Sequence, residues 1–387
     1  MNVITPGTKI TLLLLAMMTM MSNVAVVTIL PRLSEIYADV DHIAFLSRMM
    51  ITLPSLAIAI LAPFLGNMVY KYGKRKSAIV GLFFFSITGT AGLYLDSIYA
   101  LLISRFLLGI AIAILMIVST SLIGDYFKGE ERHKFMGLQS AFVSIGGIFF
   151  IVGGGMLSDI NWRYPFAIYG IGFIILIFAM KYIVEHNYQS NVVDDEEINH
   201  RLYPIYIMAF LLMAIFYILP TQFPYLMINV FHATGEKTGL IIASAFVFNA
   251  IGALSFVKLK RHFGFSTIYM IGMGIIAIGF IGISQVRELQ WFFLTAPIIG
   301  LGGGILMTNI TAWLLHYAHF TKRVKATAYL TSSLFLGQFF SPILTYPIVQ
   351  YFGIEDFFNV MGLGLLTVLF VSLTVKSFTK LGKRENI

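Results

Sequence analysis

Apolar residues in this chain run together instead of alternating. Long uncharged stretches are broken by short clusters of Lys, Arg, Gly and Asn. The uninterrupted runs reach the roughly 20 residues that a helix needs to cross a bilayer. Twelve spans are predicted, at about 10–36, 43–70, 77–95, 98–125, 134–157, 164–184, 204–230, 238–258, 266–285, 289–317, 325–351 and 355–376, called spans 1 to 12 below. Strands of a membrane barrel are shorter and alternate, so helices are expected. Span 1, with Lys9 as a basic flank, has the outline of a signal peptide. Its apolar stretch is too long and no small-residue cleavage site follows, so it is expected to stay in the mature chain.

The one polar stretch of any length, 185–203 with Asp194, Asp195, Glu196 and Glu197, separates six spans from six. The expected organisation is an N-terminal six-helix bundle over 1–184, a cytoplasmic linker over 185–203 and a C-terminal six-helix bundle over 204–387. Sliding the sequence by 191 residues lays Gly73 on Gly264, Gly81 on Gly272, Gly109 on Gly300 and Gly146 on Gly337. It also lays Ile114, Leu115 and Met116 on Ile305, Leu306 and Met307, Arg132 on Arg323 and Lys134 on Lys325. At an offset of 189, Ile29, Leu30 and Pro31 meet Ile218, Leu219 and Pro220. Each half holds an even number of spans, so the copies run in the same direction. The predicted fold is an all-α membrane protein of two bundles related by a parallel pseudo-two-fold repeat, with a substrate path between them near the midplane.

Composition agrees with a lipid solvent. Hydrophobic residues make up 58% and charged ones 11% of the chain, against roughly 45–50% and 25% in soluble proteins. The absence of Cys rules out disulfides, thiolate metal sites and Cys nucleophiles. No metal site, cofactor or catalytic residue is expected. The net charge of +8 suggests nucleic acid until the charges are placed. With both termini inside, 20 of the 26 basic residues fall in inner loops and tails, and outer loops keep Arg32, Arg163, Lys237 and Arg287. This bias predicts a multi-pass protein of the cytoplasmic membrane with cytoplasmic termini. The charge then reflects topology and anionic lipid, and no nucleic-acid partner is expected.

Arg48 and Arg105 alone remain inside spans, at similar depth in the outer third. Ionisable groups at such depth are expensive and point to function. With Glu35, at the outer end of span 1, they are expected to form a charged cluster that binds or gates an anionic group, for which guanidinium is a planar fork. The alternative is an ion pair locking the bundle, or a snorkelling Arg48. No acid lies in mid-span. That leaves Glu35, Asp125 and His316 as proton-coupling candidates, with Asp125 expected to pair with Lys128 or Arg132. Among the uncharged polar residues Asn23, Gln139, Asn249, Asn309 and Gln338, Asn23 and Asn309 sit closest to the midplane and are the candidates for substrate contact. Prolines 31 and 220 are expected to bend matching helices, and the runs Gly153–Gly155 and Gly302–Gly304 to allow close helix contacts.

The loop after span 2, with Gly66, Tyr70, Lys71, Gly73, Lys74, Arg75 and Lys76, resembles the G-x-L-a-D-R-x-G-R-R/K signature of the major facilitator superfamily. Arg105 to Gly109 resembles its R-x-x-Q-G element. Tyr126 to Gly137, with Glu130, Glu131 and Arg132, is similar to its next inner loop, and Trp162, Arg163 and Phe166 to the W-R-W-x-F of the twelve-helix drug:proton antiporter branch. The resemblance implies a secondary active transporter that exports small organic molecules by alternating access, with proton coupling, and it singles out Gly66, Gly73, Lys74, Arg75 and Arg132 as the inner-loop signature. Two positions depart from the pattern. Tyr70 stands in place of an Asp, which weakens any anion latch on a helix N terminus, and Phe150 and Ile151 replace a Gly-Pro pair.

The expected partners are a small molecule, the bilayer and possible protons, with the chain acting as a monomer. A drug pump competes with an exporter of an anionic metabolite such as a carboxylate siderophore, which the two arginines favour. A lipid-modifying membrane enzyme would need clustered carboxylates or a Ser/His/Asp set at one face. The one acidic cluster, 194–197, sits in the linker with nothing catalytic around it, and no nucleotide-binding P-loop sequence is present.

Overall fold

The computed structural model describes residues 4–185, 200–319 and 323–384. The acidic cluster at 194–197 lies outside the described residues. Within them the chain is helical apart from short turns, with no strand. Ten helical runs are long and apolar enough to cross a membrane. The last of these, Lys325–Ser372, contains both span 11 and span 12, which Gly353 (φ 77°) separates inside one continuous run. Span 1 adds to these ten and is built of Pro6–Val24, the 3-10 turn Val27–Ile29 and Leu30–Ile36. The described residues thus hold twelve spans, and their bounds lie within a few residues of those expected.

The breaks in spans 1 and 7 have one cause. Pro220 has no N–H for the carbonyl of Phe216, and the helix Tyr203–Phe216 ends there before resuming as Ile218–Tyr225. Pro31 likewise cannot serve Val27, whose carbonyl accepts the Leu30 N–H in a tighter turn instead. Span 7 then finishes in a π-helical turn, Leu226–Val230.

The repeat seen in the sequence is also a repeat of contacts. A Cβ on Gly109 of span 4 would lie 2.5 Å from the Pro54 carbonyl of span 2. At its counterpart Gly300 the obstructing carbonyl is that of Ala245, which is Pro54 moved by 191 residues. Gly81 faces Leu115, and Gly272 faces Leu306, again the same pair moved by 191. These two glycine pairs are therefore points where spans 2, 3 and 4, and likewise 8, 9 and 10, touch without room for a side chain. Of the two glycine runs, Gly154 meets the Ala25 carbonyl, Gly155 that of Gly235, and Gly304 that of Asn249.

By contact density the chain separates into two compact units. The first, 1–243 with 317–344, contains spans 1 to 7, the start of span 8 and most of span 11. Span 4 runs through it as Ile98–Tyr126, with Leu108, Ile112, Leu115, Val118 and Leu122 fully or almost fully buried along one side. The second unit, 244–316 with 345–387, holds the rest of span 8, spans 9 and 10, the end of span 11 and span 12. Its interior includes Ile276, Phe280, Ile299, Leu306 and Phe358, all inaccessible to solvent.

Candidate functional site

A cavity of about 500 Å³ lies in the first unit between spans 2, 4 and 11. Span 4 lines it with Ala113, Met116, Ile117, Thr120 and Ser121, a spacing of three and four residues that keeps one helical face turned to the space. Span 2 contributes Ile58 and Ala62, one turn apart, and span 11 the face that carries Thr327, Ala328, Thr331 and Ser332. Alanines leave the room and hydroxyls supply the polarity. Two hydrogen bonds tie spans 2 and 11 beside the cavity. Ser55 donates to Gln338 Oε1 at 2.8 Å, and Ser332 donates to the Ala59 carbonyl at 3.1 Å. All the lining residues sit toward the end that carries the basic loops.

The opposite end of the same unit is closed by buried polar groups. Arg48 is 3% exposed. Its Nε donates to Gln222 Oε1 at 2.8 Å, its Nη1 donates to the Ala44 carbonyl, and its guanidinium lies 3.7 Å from the centre of the Tyr225 ring. The Tyr225 hydroxyl is 2.5 Å from Ser47 Oγ, which in turn is 2.9 Å from Ser34 Oγ. Spans 1, 2 and 7 are thereby joined. A second layer joins spans 1, 5 and 8. Asp159 accepts from the backbone N–H groups of Gly235 and Glu236 at 2.7 and 2.9 Å, and pairs with Arg32 at 3.2 Å. An acid at a helix N terminus is favoured by the helix dipole, and here the helix begins at Gly235.

Arg105 has different neighbours. It is fully buried, and its Nη2 donates to the carbonyls of Thr88 and Gly89 at 3.0 and 2.8 Å, where the helix of span 3 tightens into a 3-10 turn. The Phe166 and Tyr169 rings of span 6 each lie 5.0 Å from the guanidinium carbon. Arg105 thus ties spans 3, 4 and 6 together. The expected cluster of Arg48, Arg105 and Glu35 is not assembled, since the two guanidinium groups have separate partner sets and Glu35 is exposed at the end of Leu30–Ile36.

At the basic end the inner-loop signature is organised by a carboxylate that sequence reasoning passed over. Gly73 adopts φ 92°, which favours glycine, and ends span 2. The following helix opens with the N–H groups of Lys74 and Arg75 donating to Glu185 Oε1 and Oε2 at 2.8 and 2.7 Å. Arg75 also donates to the Met180 carbonyl at 2.6 Å. The Tyr126 hydroxyl donates to the Val184 carbonyl (2.6 Å) and accepts from the Val184 N–H (3.0 Å). The loop therefore has an anion on a helix N terminus despite Tyr70, and the anion comes from the end of span 6. Asp125 pairs with Lys74 at 2.5 Å and not with Lys128 or Arg132. Arg132 is exposed and passes beside Gly124, while Gly66 has open space around it.

In the second unit Asn309 is buried and donates to the Phe265 carbonyl at 3.1 Å, joining spans 9 and 10. His316 packs 5.4 Å from the Phe265 ring, which stacks on Trp313 and carries Lys260 3.9 Å above its centre. The side chain of Asn23 lies outside the described residues. Among the described residues no three His, Asp or Glu side chains gather as a metal site. The groups missed from sequence are Gln222, Tyr225, Glu185 and the cavity hydroxyls. Only Gln222 carried a signal, as a polar residue between Pro220 and Pro224 in an apolar span.

The sequence profile of the Major Facilitator Superfamily matches residues 12–205 and again 205–386. Multidrug resistance protein 2 of Bacillus subtilis is 30% identical over 175 residues, 40% of this chain and 42% of that protein. Quinolone resistance protein NorA of Staphylococcus aureus is 30% identical over 137 residues, 34% of each chain. The matched stretch thus spans only about two fifths or less of the length of these curated relatives. A bacterial homolog of the human lysosomal transporter Spinster, solved in an inward-facing and occupied conformation, superposes with a TM-score of 0.74 at 15% identity, over 97% of this chain and 96% of that one.

Proposed function

The chain belongs to the major facilitator superfamily, and we propose that it is a secondary active transporter exporting small organic molecules across the cytoplasmic membrane by alternating access. The observation that carries this reading is the pairing of a cavity toward one end of the first unit with a buried closure at the other. An exporter loading from the cytoplasm needs that arrangement in its resting state. The basic residues gathered in the loops at the cavity end support a cytoplasmic position for that end and for both termini. The two functional halves are 1–184 and 204–387, linked by 185–203, and the working unit is one chain.

Export of an anionic metabolite is less well supported. It needs an arginine facing substrate, and Arg48 and Arg105 are engaged with protein groups outside the cavity lining. For proton coupling, Asp125 and Glu35 lie at opposite ends of the helices and His316 packs on Phe265; of these three, Asp125, paired with Lys74, is the one whose protonation would break an ion pair. The reading is tested in two steps. Proteoliposomes loaded with lipophilic dyes should show carrier-dependent movement, and no movement of any dye in either direction would overturn it. Arg48→Ala should loosen the closure, so a cysteine introduced at Ser34 in this cysteine-free chain should react faster with an impermeant maleimide. Unchanged labelling would remove the closure from the mechanism.

A further inference from the structure

The cavity also speaks to what it carries. Among its described lining residues no side chain is titratable and none is aromatic. Among those described residues a cation meets neither a carboxylate nor a ring face, and an anion meets no guanidinium or ammonium. An unpaired charge brought into apolar surroundings sheds hydration without compensation. The polar groups present are five hydroxyls, on Thr120, Ser121, Thr327, Thr331 and Ser332. Two of these have already donated their hydrogens, Thr331 to the Thr327 carbonyl at 3.0 Å and Ser332 to the Ala59 carbonyl at 3.1 Å. What these two offer a ligand is therefore lone pairs.

We infer that the substrates are uncharged lipophilic molecules bearing N–H or O–H donors, accepted by Thr331 and Ser332 on span 11 while the hydrocarbon part lies against Ala113, Met116 and Ile117 of span 4. This rests on the transporter reading above and narrows it to one substrate class. The volume of about 500 Å³ suits a ligand of drug size. Ser332 has a second part in this scheme. Its bond to Ala59 ties spans 2 and 11, so a ligand donor on Ser332 is sensed where those two helices meet.

The test uses three probes that share one aromatic body: N-phenylnaphthylamine, which is uncharged and carries an N–H, its sulfonate, and its trimethylammonium derivative. Binding is read as thermal stabilisation of the purified chain in detergent, and transport as efflux from proteoliposomes. The uncharged probe should stabilise the protein, and the two charged ones should bind at least tenfold more weakly. Equal or tighter binding of either charged probe overturns the inference. Thr331→Asp adds a carboxylate on the cavity face without removing an inter-helix bond. It should weaken the uncharged probe about tenfold and bring in the trimethylammonium derivative; if all three probes bind as before, the cavity is not their site and the inference fails. The transporter reading fails separately, by stabilisation with no carrier-dependent efflux of any probe. If Thr331→Asp does not fold, the wild-type ranking of the three probes decides alone.

Discussion

Replacing Glu185 by alanine removes both acceptors from the first turn of span 3. The wild-type carboxylate holds the Lys74 and Arg75 N–H groups at 2.8 and 2.7 Å. Loss of a side-chain helix cap costs about 0.5–2 kcal/mol, and loss of the negative charge at the positive end of the dipole roughly 0.3–1 kcal/mol more. Glu185 is exposed, so water takes over part of the hydrogen bonding. The net cost is then about 1–2 kcal/mol. Glu185→Gln keeps one acceptor oxygen and should cost about half as much. Scanning fluorimetry of the purified chain is expected to show the midpoint falling by about 2–4 °C for each kcal/mol, with alanine below glutamine. The charge-dependent part should shrink at about 1 M salt, where the screening length is roughly 3 Å. Variants that unfold together with the wild type at low salt would refute the view that this carboxylate organises the loop. A loss of equal size at low and high salt would leave a hydrogen-bonding cap and remove the electrostatic part of the reasoning.

Two further predictions concern residues that the sequence marks for function. Arg105→Ala leaves the Thr88 and Gly89 carbonyls without their donor; hydrogen bonds to charged groups are worth about 1.5–3 kcal/mol each. A markedly lower thermal midpoint with an unchanged ranking of charged and uncharged probes is expected, and an altered ranking would return Arg105 to the substrate path. Gly109→Ala and Gly300→Ala each push a methyl against a backbone carbonyl in the same repeat position. Both should lose about 1–3 kcal/mol from overpacking, and the equivalence of the two contacts is lost if one substitution is silent in thermal unfolding and the other is not.

Much of the fold is legible because lipid imposes one rule on every span. Backbone groups must pair within the helix, so an apolar run of sufficient length is a helix whatever its neighbours. The repeat is legible for a related reason: Gly109 and Gly300 keep their type because a carbonyl occupies the space a side chain would need. Side-chain partners are harder. Arg105 stands out in the sequence as a charge inside an apolar span, yet its acceptors are backbone carbonyls of span 3, which have no residue type to recognise. Glu185 looked like the first residue of a polar linker, and nothing in the local sequence says that its carboxylate turns back onto Lys74. The cavity face 113, 116, 117, 120 and 121 has helical spacing, but span 4 is apolar on every side, so spacing alone does not tell that face from the buried side around Leu115.

Span 2 links these sites mechanically. Along the one helix Ile43–Tyr72 it carries Ser47 and Arg48 in the closure, Pro54 against Gly109, Ser55 bonded to Gln338, and Ile58 and Ala62 in the cavity. From Arg48 to Ala62 is about 21 Å at 1.5 Å per residue. The contact at Pro54 falls near the middle of that length, and its carbonyl leaves no space for sliding toward span 4. A helix held there and tilted moves its two ends in opposite directions. On the transporter reading proposed above, such a tilt would narrow the cavity at Ile58 and Ala62 as it released Arg48 from Gln222. On that reading the two gates therefore share one continuous helix, whose close approach to span 4 at Gly109 lies between them.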